Sequence, residues 1–343
     1  MRRNTIPKTI EQLLDFLNII YMQNTPLVTI ICLSYNHAPF IEDAIASIAH
    51  QFYQNIETII IDDGSTDQSV NKITTSLQKY NLQAQFIALP HNIGNCKAFN
   101  IGLKEAKGKY VIDLAADDML LKNRVSDDVN TFESRGENYG AVFSDVIFIN
   151  EQGKQTADSY YQRDSNGKLL EKVQEGEVYE RVLRNPPLFS APSIIYRTSY
   201  LKALGGYDET LAYEDYDIWI RLSRKYQFAF YDKANTQKRK VKSSLSQRFY
   251  KRRGNELLKS TLKICLKAKR LNQNKMEDLS LSKSVAYHLR LAYYTENFYL
   301  AKAYFYLLKK TTKPSFMESV FYYLSKLKVK VFPIYYQYLK LRQ

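Results

Sequence analysis

The first two thirds of the chain alternate short apolar runs with amphipathic stretches. The apolar runs have the length of single strands and occupy residues 27–34, 58–61, 85–89 and 110–114. A continuous apolar run of this length is typical of a strand that is covered on both faces of a parallel sheet. The stretches between the runs carry apolar residues at helical spacing. The pattern therefore predicts consecutive strand–helix–strand units.

Each predicted helix has a recognisable beginning or end. Pro39 suits the first turn of the first helix, because its φ angle is already helical. The second helix begins after Asp67, and the third closes at Gly108, a residue type that tolerates the left-handed conformation of a helix end. This alternation predicts an α/β fold with an open, mainly parallel central sheet and helices on both faces.

Polar clusters follow the predicted strands at the edge where open parallel sheets bind their ligands. Ser34-Tyr35-Asn36 follows the first strand, Asp62-Asp63-Gly64-Ser65 the second and Asp117-Asp118 the fourth. Two adjacent carboxylates can hold Mg²⁺ or Mn²⁺ against a diphosphate, because phosphate oxygens and water complete the coordination of such an ion. An isolated Asp-Asp pair is more often a solvated loop, and the neighbouring clusters are what favour a site here.

With the spacing Asn92-x-Gly94-x-x-x-Ala98-x-Asn100-x-Gly102, these clusters resemble the family 2 glycosyltransferases, which have the Rossmann-like GT-A fold. The resemblance covers residues 26–235. It implies a nucleotide-diphosphate sugar as the donor, with a UDP-sugar favoured, and Mn²⁺ or Mg²⁺ as the cofactor.

The resemblance also assigns roles to residues of the donor side. It implies that Tyr35 packs beside the nucleotide base and that Asp63 accepts a hydrogen bond from the base. Asp117 and Asp118 would hold the ribose and the metal. The donor-binding residues implied in this way are Ser34, Tyr35, Asp63, Lys97, Asp117 and Asp118.

Two positions depart from the pattern of the family. The family usually has Leu-Asp-x-Asp-Asp where this chain has Leu114-Ala115-Ala116-Asp117-Asp118, so the first acid is replaced by Ala115. Some relatives carry a metal-binding histidine where this chain has Lys242. A protonated lysine cannot bind a metal, although it can contact a diphosphate. Asp118 is therefore expected to be the protein ligand of the metal.

A second acidic segment, Glu214-Asp215, stands before a helical pattern that includes Trp219. Alone, it would be an ordinary acidic first turn of a helix. It resembles the acceptor-side segment of the same family, whose Glu-Asp pair supplies the catalytic base. A hydroxyl that attacks an anomeric carbon must lose its proton, and a carboxylate at a helix start can accept it. The resemblance implies that Asp215 is this base, that Glu214 orients it and that Trp219 packs or forms a sugar platform.

Charge divides the chain into two regions. Residues 238–343 contain 25 Lys and Arg against 5 Asp and Glu, whereas the preceding residues contain 24 against 30. A region this basic could bind nucleic acid, a membrane or an acidic acceptor. It contains no recognised nucleic-acid motif, so we expect an anionic membrane surface and no nucleic acid.

The apolar pattern of the basic region predicts helices. The pattern predicts two helices within residues 280–310, with a break near Thr295. A third helix is predicted over residues 315–332, where Ser315 and Glu318 form a capping-box pattern at its start. One stripe of that helix carries Phe316, Val320, Tyr323, Leu324, Leu327 and Val331, with lysines among them. Such a helix lies in a membrane interface or packs on the rest of the protein, and amphipathicity alone does not choose between them.

These patterns predict three segments: an amphipathic helical extension at 1–25, a glycosyltransferase domain at 26–240 and a basic helical region at 241–343. No apolar stretch is long enough to span a bilayer, and no signal peptide is recognisable. The three cysteines lack the paired spacing of metal sites or redox motifs, which indicates buried thiols in a protein of a reducing compartment. The expected location is the cytoplasm, at the inner face of the cell membrane.

Together these features predict an inverting, hexosyl- or N-acetylhexosaminyl-type transferase that moves one sugar to a hydroxyl of a cell-envelope glycan or lipid-linked acceptor. Transfer of a single sugar is favoured because the spans and the Gln-x-x-Arg-Trp segment of processive synthases are missing. The alternative is a noncatalytic nucleotide-sugar-binding or membrane-scaffold protein, suggested by Ala115 and Lys242.

Overall fold

The computed structural model describes residues 25–157, 159–184, 187–241 and 245–341. Apart from Thr25, the predicted N-terminal helical extension lies outside the described residues, and so does Lys242.

A central sheet of nine strands organises the described part of the chain. The strands are β1 (Val28–Ser34), β2 (Ile56–Asp62), β3 (Gln85–Ala88), β4 (Tyr110–Ala115), β5 (Met119–Leu120), β6 (Tyr139–Ile149), β7 (Gln155–Ala157), β8 (Ile194–Arg197) and β9 (Gln227–Arg239). Their order is β3-β2-β1-β4-β8-β6-β9-β5, with β7 paired to β6. The four strands predicted from the apolar runs form the parallel half, β3-β2-β1-β4. Beyond it, β8 runs antiparallel to both neighbours, and β6 and β9 are parallel.

Helices cover the sheet and continue into the basic region. Those of the α/β part are α1 (Ile41–Ala49), α2 (Ser69–Lys79), α3 (Asn95–Glu105), α4 (Arg124–Arg135), α5 (Tyr179–Val182), α6 (Thr198–Ala203) and α7 (Asp215–Ser223). Those of the basic region are α8 (Glu256–Leu271), α9 (Lys275–Tyr294), α10 (Phe298–Thr311), α11 (Phe316–Lys326) and α12 (Phe332–Leu341). The predicted α/β fold is confirmed, and so are the two helices that break near Thr295.

The reason given for Gly108 is wrong. Helix α3 ends at Glu105, and Gly108 does not adopt a left-handed conformation. A Cβ atom on Gly108 would lie 2.5 Å from the backbone nitrogen of Thr29. The glycine is required because the chain passes close to β1 before it enters β4.

The basic helices pack on the α/β part and share its core. A single cluster of buried side chains extends from Ile31 in β1 to Phe321 in α11. Polar contacts cross the same boundary: the Lys267 ammonium lies 2.7 Å from Asp217, and Arg224 lies 2.8 Å from Glu277. Within the described residues, no helix combines the length and apolar character needed to cross a bilayer.

Helix α11 turns part of its predicted apolar stripe outward. The capping box of Ser315 and Glu318 is present, but the predicted helix 315–332 ends at Lys326. Phe316 is 81% exposed, Tyr323 60% and Leu327 75%, whereas Leu324 and Val331 of the stripe pack against the core. The fold therefore divides the predicted apolar face into a packed part and an exposed part.

Candidate active site

The Asp117-Asp118 turn lies at the carboxyl end of β4 and is held by the end of β9. The Asp118 carboxylate is buried, and its Oδ1 accepts a hydrogen bond of 2.8 Å from the backbone N–H of Arg239. The Arg239 guanidinium donates to the Asp117 carbonyl at 2.9 Å and to Asp43 at 2.7 Å. Arg239 therefore fixes the turn, and no local sequence pattern indicated this, because Arg239 follows Asp118 by 121 positions.

The surroundings of Asp118 suit a carboxylate that binds a cation from outside the protein. Burial and then the Asp117 charge raise its pKa to about 8, although Lys238 and Arg239 oppose the increase. Among the residues that the structure describes, no group of three His, Cys, Asp or Glu side chains is arranged to hold a metal. A divalent ion would thus need phosphate oxygens and water in addition to Asp118, which is an ordinary arrangement for Mg²⁺.

The ends of β1 and β2 form a second wall of the site. Tyr35 is 41% exposed, so its ring is free to contact a ligand. Ser34 is buried, and its Oγ has no hydrogen-bond partner within the described chain. A buried hydroxyl without a partner is costly, so an unmet polar group at this position is suited to a ligand or a water.

Asp63 is already bonded within the protein. Its carboxylate accepts hydrogen bonds from the backbone N–H groups of Ile93, at 2.8 Å, and Gly94, at 3.0 Å, and from the Asn92 side chain. Burial raises the pKa of Asp63, and the two backbone bonds oppose that increase. A carboxylate has about four acceptor positions, so these three bonds leave room for one more donor.

The backbone around Gly64 shows why the segment Asp62-Asp63-Gly64-Ser65 contains a glycine. It has φ +69°, and a Cβ atom would lie 2.3 Å from the His91 carbonyl carbon. The β2 end and residues 91–94 can therefore approach each other only with glycine at this position.

Two predicted site residues do not bond to these carboxylates within the described part of the chain. Lys97 is exposed in the first turns of α3, and its side chain makes no hydrogen bond or ion pair to another described residue. Trp219 is 5% exposed, donates from Nε1 to the Tyr196 hydroxyl at 3.0 Å and packs edge-on against Phe189. Of the two roles considered for Trp219, this burial favours packing over a sugar platform.

Glu214 and Asp215 begin α7 beside the loop that holds Asp63. The Asn95 side chain donates a short hydrogen bond to Glu214. Burial raises the pKa of Asp215 well above its usual value, Glu214 raises it by charge and by a hydrogen bond, and Lys238 opposes the increase. A carboxylate in this environment is a stronger proton acceptor than an exposed aspartate.

Asp113 is a third acid of the site that the sequence reading missed. Its Oδ2 accepts a hydrogen bond of 2.9 Å from the Tyr207 hydroxyl. Burial and then the Glu214 charge raise the pKa of Asp113 to about 8. The available signal was a charged residue inside the apolar run 110–114, because a buried strand excludes an acid that has no special role.

Lys238 connects the two ends of the site. Its charge opposes the increase in pKa at both Asp118 and Asp215, so it lies within electrostatic reach of each carboxylate. Its Nζ lies 3.2 Å from Ser190 Oγ. Lys238 is thus close enough to influence both the carboxylate at the β4 end and the carboxylate at the α7 start. The carboxylate at the end of β4 is suited to bind a cation together with a diphosphate, and the carboxylate at the start of α7 is suited to accept a proton.

Comparison with known proteins identifies similar sequences. The family model described as "Glycosyl transferase family 2" matches residues 29–205. An uncharacterized glycosyltransferase of Haemophilus influenzae is 28% identical over 214 residues, which cover 62% of this chain and 65% of that protein. One from Rickettsia typhi is 31% identical over 210 residues, covering 59% and 61%. The matches thus span less than two thirds of these relatives.

Solved structures resemble the fold over most of the chain. Staphylococcus aureus TarS 1–349 in complex with UDP-GlcNAc superposes with a TM-score of 0.63 at 16% identity, covering 88% of each chain. The mannosyltransferase PcManGT from Pyrobaculum calidifontis, in complex with GDP-Man and Mn²⁺, gives a TM-score of 0.56 at 16% identity and covers 90% of this chain and 85% of that one. At such identities the similarity establishes the fold, and the predicted GT-A fold is confirmed.

Proposed function

The chain belongs to glycosyl transferase family 2, and on this premise we propose that it moves one sugar from a nucleotide-diphosphate donor to an acceptor hydroxyl with inversion. Asp118, with Asp117, holds the metal–diphosphate end of the donor, and Asp215 is the general base. The observation that carries the proposal is the buried Asp118 carboxylate at the carboxyl end of β4, which the backbone of Arg239 holds in place and which lies within the residues that the family model matches.

The transfer step requires a proton acceptor opposite the leaving group. The acceptor oxygen forms a new bond to the anomeric carbon, the bond from that carbon to the diphosphate oxygen breaks, and the hydroxyl proton passes to Asp215. The raised pKa of Asp215 supports this role, because it makes the carboxylate a stronger proton acceptor than an ordinary aspartate. Glu214, bonded to Asn95, orients the base.

The donor side is proposed to use Ser34, Tyr35, Asp63, Lys97, Asp117 and Asp118. The exposed Tyr35 ring and the spare acceptor position of Asp63 support base recognition. Mn²⁺ or Mg²⁺ would neutralise the departing diphosphate when bound at Asp118. We favour a UDP-sugar and a hexosyl or N-acetylhexosaminyl group, since the TarS structure contains UDP-GlcNAc, although PcManGT contains GDP-Man.

The proposed acceptor is a cell-envelope glycan or a lipid-linked glycan at the inner face of the cell membrane. The exposed side chains of Phe316, Tyr323 and Leu327 support a peripheral contact, because apolar groups bordered by lysines suit an anionic membrane interface. Ile334 and Leu341 extend the exposed apolar surface along α12.

The substitution Asp215→Asn tests the mechanism. We expect nucleotide-sugar affinity to stay within a few-fold of wild type while transfer falls by about 10²- to 10⁴-fold, the usual effect of removing a positioned base. Donor binding by calorimetry and transfer by nucleotide release separate the two quantities. Glu105→Gln, an exposed acid at the end of α3, is the control and should change neither.

Two outcomes would contradict the proposal. Undiminished transfer by Asp215→Asn would remove Asp215 from the base role, and retention of the anomeric configuration in the product would exclude direct displacement. A wild-type protein that binds donor but transfers to no hydroxyl acceptor would favour the noncatalytic alternative suggested by Ala115.

A further inference from the structure

The C-terminal helical region contains a cavity that the transfer reaction does not use. Its volume is about 640 Å³, and three chain segments line it: 253–256 before and at the start of α8, 296–300 at the start of α10, and the turn between α11 and α12. We call this space the C-terminal cavity. Its charged lining residues are Arg253, Lys259, Lys328, Lys330, Glu256 and Glu296.

The positive charge of the C-terminal cavity is not neutralised from within. The buried Glu296 carboxylate is occupied by Arg252, at 2.9 Å, and Arg253, at 2.8 Å. Lys328 and Lys330 are exposed and, within the described residues, have no carboxylate within 4.0 Å. Lys259 has only the exposed partner Glu256 at 3.3 Å, and such pairs are weak. An anion entering the cavity would thus meet three lysines without a strong competitor.

Backbone groups add donors to these lysines. Asn297 does not cap α10, because its side chain bonds to Thr295 and Asn255. The backbone N–H groups of Phe298, Tyr299 and Leu300 consequently have no acceptor among the described residues. Several lysine ammonium groups together with free N–H donors match the three exposed oxygens of a terminal phosphate.

The rim of the C-terminal cavity is apolar and faces outward. Tyr299, which lines the cavity, is 78% exposed, and Leu327, next to Lys328, is 75% exposed. The exposed stripe of α11 continues from Leu327. A ligand with a phosphate at one end and a hydrocarbon part at the other would satisfy both surfaces, whereas a free phosphate would leave the rim exposed.

We propose that the C-terminal cavity binds the terminal phosphate of a lipid headgroup. This inference rests on the membrane contact proposed above, but it adds a specificity that general charge attraction does not provide. An amphipathic basic helix responds to surface charge, whereas a cavity lined by several lysines and backbone N–H donors can favour a terminal phosphate over other anions of equal charge.

Vesicle flotation at matched surface charge tests the inference. Phosphatidylcholine vesicles carry either phosphatidic acid, which has a terminal phosphate, or sulfatide, which has none. We expect wild-type protein to bind phosphatidate vesicles at least about tenfold more tightly, an effect that a few charge-assisted hydrogen bonds can supply. The substitutions Lys259→Gln, Lys328→Gln and Lys330→Gln together should abolish this preference, and circular dichroism would confirm that the fold is retained.

A matched control removes the same charge elsewhere. Lys309→Gln, Lys310→Gln and Lys313→Gln change three exposed lysines at the far end of α10, outside the C-terminal cavity. They should weaken binding to both vesicle types equally and keep the preference. Loss of the preference in both triple variants, or equal binding of wild type to both lipids, would overturn the inference.

Soluble ligands separate the C-terminal cavity from the membrane contact. If wild-type protein floats with neither vesicle type, the proposed membrane contact is wrong. Calorimetry with short-chain, water-soluble phosphatidate then still tests the C-terminal cavity. Binding that Lys328→Gln weakens would support the inference, and an absence of binding would overturn it. Inorganic phosphate that binds as tightly as the lipid would assign the cavity to free phosphate instead. Equally effective competition by a single-stranded oligonucleotide would assign it to nucleic acid.

Discussion

The α/β region and the C-terminal helical region bury carboxylates in opposite ways. At the candidate active site, burial raises the pKa of Asp113, Asp118 and Asp215. The Glu214 charge adds to the increase at Asp113 and Asp215, and the Lys238 charge opposes it at Asp118 and Asp215. In the helical region, the buried Glu296 is bonded to two arginines. Burial raises the pKa of Glu296, but the hydrogen bonds from Arg252 and Arg253 lower it below its usual value.

This difference indicates what each carboxylate does. Glu296 is neutralised within the fold, so it stabilises the break between α9 and α10 and contributes nothing to proton exchange. The active-site acids are left short of positive charge, a state that disfavours ionisation and destabilises the folded protein at higher pH. Such groups are suited to bind a cation or accept a proton from a substrate.

The largest expected effect concerns Asp118. Asp118→Asn should weaken metal-dependent donor binding and turnover by about two orders of magnitude or more, because it removes the proposed protein ligand of an ion that would stabilise the departing diphosphate. Titration of nucleotide with Mn²⁺ and then with EDTA measures this, with Glu105→Gln as the control. Equal metal dependence in mutant and wild type would show that the ligand lies elsewhere.

The exposed stripe of α11 should matter nearly as much for membrane binding. Phe316→Ser, Tyr323→Ser and Leu327→Ser together should lower partition onto anionic vesicles roughly 100-fold, since each side chain contributes on the order of 1 kcal/mol when it enters an interface. Turnover on a soluble acceptor analogue should not change, because these side chains are exposed and outside the site.

Phe52→Ser, Leu170→Ser and Met276→Ser form the matched control for this test. These residues are also exposed, at 64%, 60% and 57%, but lie outside α11 and α12. Equal losses in both triple variants would indicate unspecific adhesion. A loss of cooperative unfolding in the α11 variant would indicate that the stripe packs on protein.

The internally paired carboxylate should behave as a stabilising group. Glu296→Gln should lower the free energy of unfolding by about 2 kcal/mol, because it removes the charge that holds Arg252 and Arg253. The half-exposed arginines can return to water, which keeps the loss below that of a fully buried pair. Urea unfolding at neutral pH measures the change, and an unaltered stability would show that the two ion pairs are too solvated to contribute.

Neutralising Asp113 in the candidate active site should have the opposite effect and raise the free energy of unfolding at neutral and higher pH. Its pKa is raised from an ordinary value of 3.8 to about 8, so the folded protein binds more protons than the unfolded chain between these values, and stability is lost as the pH rises through them. Asp113→Asn removes this loss and keeps an acceptor for Tyr207, so it should stabilise the protein at pH 8, and the stabilisation should fade as the pH falls toward 4.

Thermal unfolding across this pH range distinguishes the two carboxylates. The wild-type melting temperature should fall as the pH rises, and Asp113→Asn should flatten that slope. Glu296→Gln should leave the slope unchanged above about pH 6, where the Glu296 carboxyl is ionised in the folded and the unfolded state, and should alter it only at lower pH. If Asp113→Asn destabilises the protein equally at every pH, Asp113 is a structural partner of Tyr207 and its ionisation has no part in the site.

Much of the architecture was predictable from local pattern. The apolar runs defined the parallel strands β1 to β4, and the polar clusters at their ends defined one wall of the site, because parallel strands place their carboxyl ends at one edge. The Ser315 capping box was likewise found, since it depends on residues only three apart. The Glu214-Asp215 pair was recognisable by resemblance to the family.

The tertiary structure decided the features that join distant segments. Asp113 meets Tyr207 across 94 positions, Asn95 meets Glu214 across 119 and Arg239 meets Asp118 across 121, and no local periodicity encodes such pairings. Which side chains of the predicted α11 stripe pack on the protein and which are exposed could not be predicted from the sequence, for the same reason. A sequence shows that a helix has an apolar face, because spacing along the helix fixes which side chains share it, but which face is covered depends on the surface that the rest of the folded chain presents.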